Sequence, residues 1–247
     1  MRSGAVFAVN IYQIFPDGTS GLVSSVDAPV NPGDYETRTF NGNAWDNEAG
    51  EAGMFYFTRV DCLDSIRCST EDMVSHLFSN DLDGTQIYLG ELDCVAEGAG
   101  WYDGFYWYID RQDDEIHRVT IDLTTPNVTD NVVANIGNGG SPDSFVLGDV
   151  TINDAGLMYS SATVDGSRSF FTVDLNGTGF STITTDPLLG AGGTQIAFDL
   201  EGDLYGVNAA NPAPYAFFSI ESDGASTYIG DVPRFTDIAA GPYTLQP

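Results

Sequence analysis

The sequence predicts an all-β fold: a five-bladed β-propeller in one domain, closed by pairing of its N- and C-terminal strands. Three observations predict it. A phrase running LYGVN, YAFFSI, ESDG, STYIG over residues 204–230 returns in degraded form along the chain, and self-similarity at a period of roughly 40–50 residues belongs to repeat folds. Each copy splits into four short β-rich segments parted by Gly, Asp and Asn turns, the pattern of an antiparallel blade. The partial repeats left at the two ends complement one another.

In chain order, the head (residues 4–27) carries AVFAVN at 5–10 as a second strand, 12–15 as a third, Asp17-Gly18 as a hairpin signal and 22–26 as a fourth. The first full copy, 38–92, has its first strand near Asn43, a second at 54–58, an insertion at 59–74, a third strand at 75–79, a hairpin at Asp83-Gly84 and a fourth strand at 86–90. The second, 93–138, places strands at 97–101, 105–109, 116–121 and 132–137. The third, 144–187, places them at 149–152, 157–159, 170–174 and 180–183, and the fourth, 192–232, at 195–198, 204–208, 216–220 and 226–230. The tail, 235–247, has one strand at 236–239 followed only by residues that match no further strand. One strand from the tail and three from the head make the fifth blade, and a ring joined this way has no open seam.

Composition agrees with this architecture. At 247 residues the chain fits a single all-β domain. Aromatics recur on second and third strands (Phe7, Phe55, Tyr106, Tyr159, Tyr205; Phe171, Phe217, Phe218) and are expected between blade faces. No run approaches the roughly 18–20 apolar residues that cross a bilayer, so membrane insertion is not expected. The start, MRSGAVFAVN, lacks a charged region ahead of a long apolar core and reads as a mature or trimmed chain.

The net charge is −28, from 36 acidic residues against 8 arginines and no lysine, with 27 aspartates to 9 glutamates. Such a surface excludes nucleic acid, whose binding needs Lys and Arg to neutralise phosphates. Self-repulsion penalises a compact state at low ionic strength, and a screening length of about 3 Å at 1 M salt removes the penalty. A halophilic or marine setting, extracellular or at the cell surface, is therefore expected. Cys62 and Cys68 fall in the insertion of the first copy and are the expected disulfide, with pairing of either to Cys94 left open. Two N-x-Thr sequons, at Asn127 and Asn176, fall at predicted turns.

Aligning the first strands puts Asn43, Glu97, Asp149, Gln195 and Asp237 at one position, so these five are expected to ring the central channel. Three carboxylates and two amides offer oxygen ligands of the kind calcium takes, and calcium is the one cofactor the sequence suggests. The same side chains could instead cap neighbouring loops or act on a substrate. The Asp-rich turns at 110–115 and 80–84 fail the calcium-loop template, because no Glu follows at the required spacing. His76 and His117 sit in predicted third strands without a nucleophile pattern beside them, so packing on the sheet face is their expected role. No G-x-S-x-G, H-E-x-x-H or phosphate loop occurs.

The repeat, with D-I-A on the first strand, L-Y-G-V-N on the second and F-F-x-I-x-x-D-G on the third, resembles secreted bacterial and archaeal propeller domains of unassigned function. It is distantly similar to the six-bladed lactonase and paraoxonase group. That resemblance implies a central calcium held by Asn43, Glu97, Asp149, Gln195 and Asp237. Three functions are weighed. The first is a non-enzymatic extracellular binding or structural module, a surface, appendage or adhesive subunit whose partners are other surface proteins, copies of itself or glycans. The second is a calcium-dependent or carboxylate-based hydrolase, lactonase- or glycosidase-like, with Asp149, Asp237 and Glu97 as acid, base or nucleophile. The third is a lectin-like propeller that binds carbohydrate at blade edges.

Overall fold

In the computed structural model the described residues are 8–27, 36–49, 53–62, 72–81, 85–110, 113, 115–136, 145–164, 167–184, 194–208, 215–233 and 237–239. They form eighteen strands. β1 (Ala8–Ile14) and β2 (Ser20–Asp27) make a two-stranded sheet, and the rest make four antiparallel four-stranded sheets. Blade one is β3 (Glu36–Asp46), β4 (Met54–Cys62), β5 (Met73–Asn80) and β6 (Gln86–Glu91). Blade two is β7 (Ala96–Tyr102), β8 (Phe105–Asp110), β9 (Glu115–Asp122) and β10 (Asn127–Asn135). Blade three is β11 (Phe145–Ile152), β12 (Leu157–Val164), β13 (Ser167–Asp174) and β14 (Ser181–Thr184); blade four is β15 (Thr194–Phe198), β16 (Leu204–Asn208), β17 (Tyr215–Ile220) and β18 (Ser226–Val232).

The arrangement is a β-propeller with four blades, which corrects the expected five. The described part of the head, residues 8–27, is a single hairpin rather than parts of three strands. Residues 8–10, expected in a second strand, run on into the third, because no Gly, Pro or Asp breaks the chain between Asn10 and Tyr12; a one-residue bulge at Ile11 is the only irregularity. Residues 1–7 and 240–247 lie outside the described residues, so the expected pairing of head and tail is not described. Two further boundaries move. β4 and β5 stay in register as far as Cys62 opposite Met73, so the insertion is shorter than 59–74. β10 begins at Asn127 rather than 132, directly after its turn.

Strand pairs turn on a shared device. In five hairpins a glycine with positive φ (Gly18, Gly156, Gly177, Gly202, Gly224) donates its N–H to the carbonyl three residues back. An aspartate often finishes the turn. Asp17, Asp122 and Asp223 accept an N–H two residues on, at 2.9, 2.8 and 2.9 Å, and Asp81 and Asp199 accept one four residues on, at 2.9 and 2.8 Å. A glutamate, one methylene longer, closes this ring poorly. Part of the excess of Asp over Glu is therefore turn chemistry.

Apolar packing lies between the sheets, in five clusters. Tyr56, Leu77 and Leu89 of blade one meet Ala99, Tyr106 and Val119 of blade two. Trp107 and Ile116 meet Val150, Met158 and Phe171 of blade three. Phe170 meets Ile196, Leu204 and Phe218 of blade four. Ile14 of β1 packs with Val207 and Phe217 of blade four, together with Ile238. Ile11 packs with Phe55, Phe57 and Phe78 of blade one, together with Ala239. The hairpin thus touches blade four through one residue and blade one through another. The recurrent aromatics occupy these clusters as expected, except Phe7, which lies outside the described residues.

Candidate functional site at the hub

β3, β7, β11 and β15 are the inner strands, each in contact with the next. The backbones approach closely. A Cβ built on Gly98 of β7 would lie 2.5 Å from the Val150 nitrogen and 2.8 Å from the Asp149 Cα. Those are backbone atoms, which cannot swing aside. Gly98→Ala is therefore expected to cost about 1–3 kcal/mol, read as a lower urea midpoint. An unchanged midpoint would mean that β7 and β11 are not so near.

Asp149 and Asp237 are the centre of the hub. Asp149 is 1% exposed and Asp237 7%. Asp149 Oδ1 accepts the N–H of Val150, its chain neighbour, at 2.7 Å, and Oδ2 accepts the N–H of Ile196 on the inner strand of blade four at 2.7 Å. Asp237 repeats the device: Oδ1 accepts from its neighbour Ile238 at 2.8 Å, and Oδ2 from Asn43 on the inner strand of blade one at 2.7 Å. Each carboxyl group ties its own segment to the next inner strand.

Gln195 joins the two. With its amide nitrogen facing the carboxyls, which avoids setting oxygen against oxygen, it donates to Asp149 Oδ2 at 3.3 Å and to Asp237 Oδ1 at 2.5 Å. The two carboxyls thus face one another across this amide. Burial, then the charge of Asp237, holds Asp149 well above the usual carboxylate range. Burial pushes Asp237 up to about 7 against its four hydrogen bonds. Tyr106 closes the cage, its hydroxyl donating to the Gly42 carbonyl at 2.7 Å.

Of the five residues expected around the channel, the structure brings Asp149, Gln195 and Asp237 together by their side chains. Asn43 takes part through its backbone N–H. Glu97 lies on β7, with its side chain outside what is described. Among the described residues no group of three or more His, Cys, Asp or Glu is placed to hold a metal ion. Cys62 is buried at the end of β4, Cys94 is a free thiol, and Cys68 lies outside the described residues.

Two buried networks escaped the sequence reading. On blade two, Tyr108 donates to Asp130 Oδ2 at 2.6 Å, and His117 Nδ1 lies 3.0 Å from Asp130 Oδ1 and 3.0 Å from the Tyr108 hydroxyl. The Asp93 N–H adds a third bond to Asp130 at 3.0 Å. Burial raises Asp130, but the bonds from His117, Tyr108 and Asp93 outweigh it and leave the carboxyl below its usual range. On blade one, Asp61 Oδ2 accepts from Arg59 Nε at 2.9 Å and Nη2 at 2.7 Å, with His76 Nε2 at 3.4 Å. The sites are repeat-related: Arg59 pairs with His76 as Tyr108 pairs with His117. The signal was legible as RVD and YID on second strands facing SHLF and IHRV on third strands.

All these groups are enclosed. Arg59, Asp61, His76, Asp110 and His117 are at most 1% exposed. A shallow cavity of about 240 Å³ opens between the first turns of blades three and four, lined by Asn153, Asp154, Ala155, Phe198, Asp199 and Gly202. No hub residue lines it.

No family model matches the chain, and no curated protein matches it. Solved structures do resemble it, and its structural neighbours are β-propellers. A luciferin-regenerating enzyme matches at 14% identity and TM-score 0.53, covering 97% of this chain and 80% of that one. A chain of a nidogen/laminin complex matches at 17% identity and TM-score 0.51, covering 76% of this chain. The present chain spans 64% of that protein's length. An exo-1,5-α-L-arabinanase from a bovine ruminal metagenomic library matches at 14% identity and TM-score 0.46, covering 90% of this chain and 92% of that one. At such identities the likeness shows the fold alone.

Proposed function

We propose that the protein is a non-enzymatic binding or structural module that works outside the cell, a rigid acidic scaffold rather than a reaction vessel. One observation carries this reading: both hub carboxyls spend their oxygens on backbone N–H groups, one of the residue that follows in the chain and one of a neighbouring inner strand. Catalytic carboxyls must meet a substrate; these meet the chain. Asp237 copies the bonding of Asp149, and Ile238 and Ala239 share clusters with Ile14 and Ile11. The partner is another surface protein that presents basic groups, because a net charge of −28 repels polyanions and further copies of itself at low salt.

A hydrolase reading draws on the same pair, since Asp149, held above the usual carboxylate range, beside Asp237 has the composition of an acid–base couple. It requires an opening to the hub. Calcium at the ring would have to compete with the N–H groups already bound there. The protein is therefore expected to turn over no lactone, aryl ester or aryl glycoside, and a chelator is expected to leave its melting midpoint unchanged. Turnover by wild-type protein that disappears in a folded Asp149→Asn variant would replace the binding reading with the hydrolase. A midpoint lowered by chelator and restored by calcium would seat a cation.

A further inference from the structure

The two sequons, far apart in sequence, fall at equivalent places in the fold. Asn127 follows the turn between the third and fourth strands of blade two, and Asn176 lies in the corresponding turn of blade three. In both the acceptor points outward while the middle residue points inward. Asn127 and Thr129 are exposed on β10, with Val128 packed against the cluster between blades one and two. Asn176 and Thr178 are exposed, and Gly177 is buried against the Asn135 carbonyl of blade two. Thr178 already faces its asparagine, its hydroxyl donating to Asn176 Oδ1 at 2.7 Å.

A separate observation concerns the surface around them. Of nine large hydrophobic side chains exposed among the described residues, four lie beside these sequons: Leu123, Val132, Val133 and Phe180. Leu123 is in the turn before Asn127 and Phe180 follows Thr178 by two residues. Val132 and Val133 precede Ala134 and Asn135, which Gly177 touches. Each sequon therefore has exposed apolar side chains close to it, which a sugar carried there would shield from water.

We propose that Asn127 and Asn176 are N-glycosylation sites whose sugars lie over Leu123, Val132, Val133 and Phe180. The donor is a sugar linked to a lipid through pyrophosphate. The asparagine amide nitrogen bonds to the anomeric carbon, the carbon–oxygen bond to pyrophosphate breaks, the lipid pyrophosphate leaves, and the nitrogen gives up one proton to a base of the transferase. The sugar's hydroxyls face water, and its carbon-bound hydrogens face Phe180 and the valines. The inference rests on the extracellular reading above.

The test secretes the full chain, behind a supplied leader, from a host that N-glycosylates, and weighs it intact. Wild-type protein is expected to carry two glycan increments, Thr129→Ala or Thr178→Ala one, the double variant none, and Thr178→Ser two. Enzymatic removal of the glycans is expected to raise binding of a hydrophobic dye several-fold. Secreted protein at its bare sequence mass, or increments that survive both alanine substitutions, would overturn the sites; dye binding unmoved by deglycosylation would overturn the cover. The Thr129 hydroxyl takes part in no described hydrogen bond; its carbonyl accepts one from the Asn131 amide at 3.5 Å, which alanine keeps, so this variant stays informative should the Thr178 turn loosen. Because the leader is supplied, a negative result removes the glycans and leaves the binding module standing.

Discussion

Asp149→Ala is expected to destabilise the fold by about 3–5 kcal/mol, because it leaves the buried N–H groups of Val150 and Ile196 without acceptors. Asp237→Ala removes the acceptors of Ile238 and Asn43 in the same way. The two residues share a glutamine and so belong to one network, and the double variant should cost less than the sum. pH dependence separates this pair from an ordinary cap. A carboxyl whose folded pKa exceeds its unfolded value keeps its proton in the fold after the unfolded chain has lost it. The stability it confers is full below about pH 4, declines as pH rises, and levels off above the folded value.

For Asp237, which moves from 3.8 up to about 7, the decline spans those values, at up to about 1.4 kcal/mol per pH unit for each proton retained. Urea midpoints taken in 1 M salt, where the other acids are screened, should fall across this window in the wild type. In Asp149→Asn the slope should flatten, since one of the two carboxyls held above the usual range is gone. A wild-type midpoint constant from pH 4.5 to 7.5 would show that these carboxyls do not retain their protons in the fold.

Asp61→Ala is expected to cost about 3–5 kcal/mol for a different reason: it removes one ion of a buried pair in which a single carboxylate oxygen accepts two N–H groups of Arg59. Arg59 and Asp61 are 1% and 0% exposed, and the guanidinium lies 5.3 Å from the Phe78 ring centroid. Replacing both ions by apolar side chains leaves neither half of the pair in the interior, so Arg59→Met with Asp61→Leu should fall closer to wild type than Asp61→Ala does. A double variant less stable than the sum of its singles would mean that the pair has further partners on which the fold depends. His76 beside them is held below its usual pKa, first by burial, and this limits its charge near neutrality.

The hub shows how a mixed outcome arises. An alignment of degenerate first strands placed Asp149, Gln195 and Asp237 at one level, and they do meet. Asn43 was placed there for its side chain and serves through its amide, a distinction that depends on how the strand bulges between Asn41 and Ala44. The histidine networks required knowing which strand faces share a gap. His117 and Asp130 are 13 residues apart, on two strands whose pairing slips by one residue beyond Val132.

Repeat spacing, turn residues and the alternation of apolar side chains determined that this chain forms antiparallel blades, since each is a local property of the backbone. The disc's acidity is likewise a matter of composition, reinforced by aspartates that close turns. Tertiary structure alone decided the number of complete blades, the fusion of two head segments into one strand, and the use of acidic side chains as ties between blades. Those depend on which distant backbone amides come within reach of a carboxyl group, and reach in space is not written in spacing along the chain.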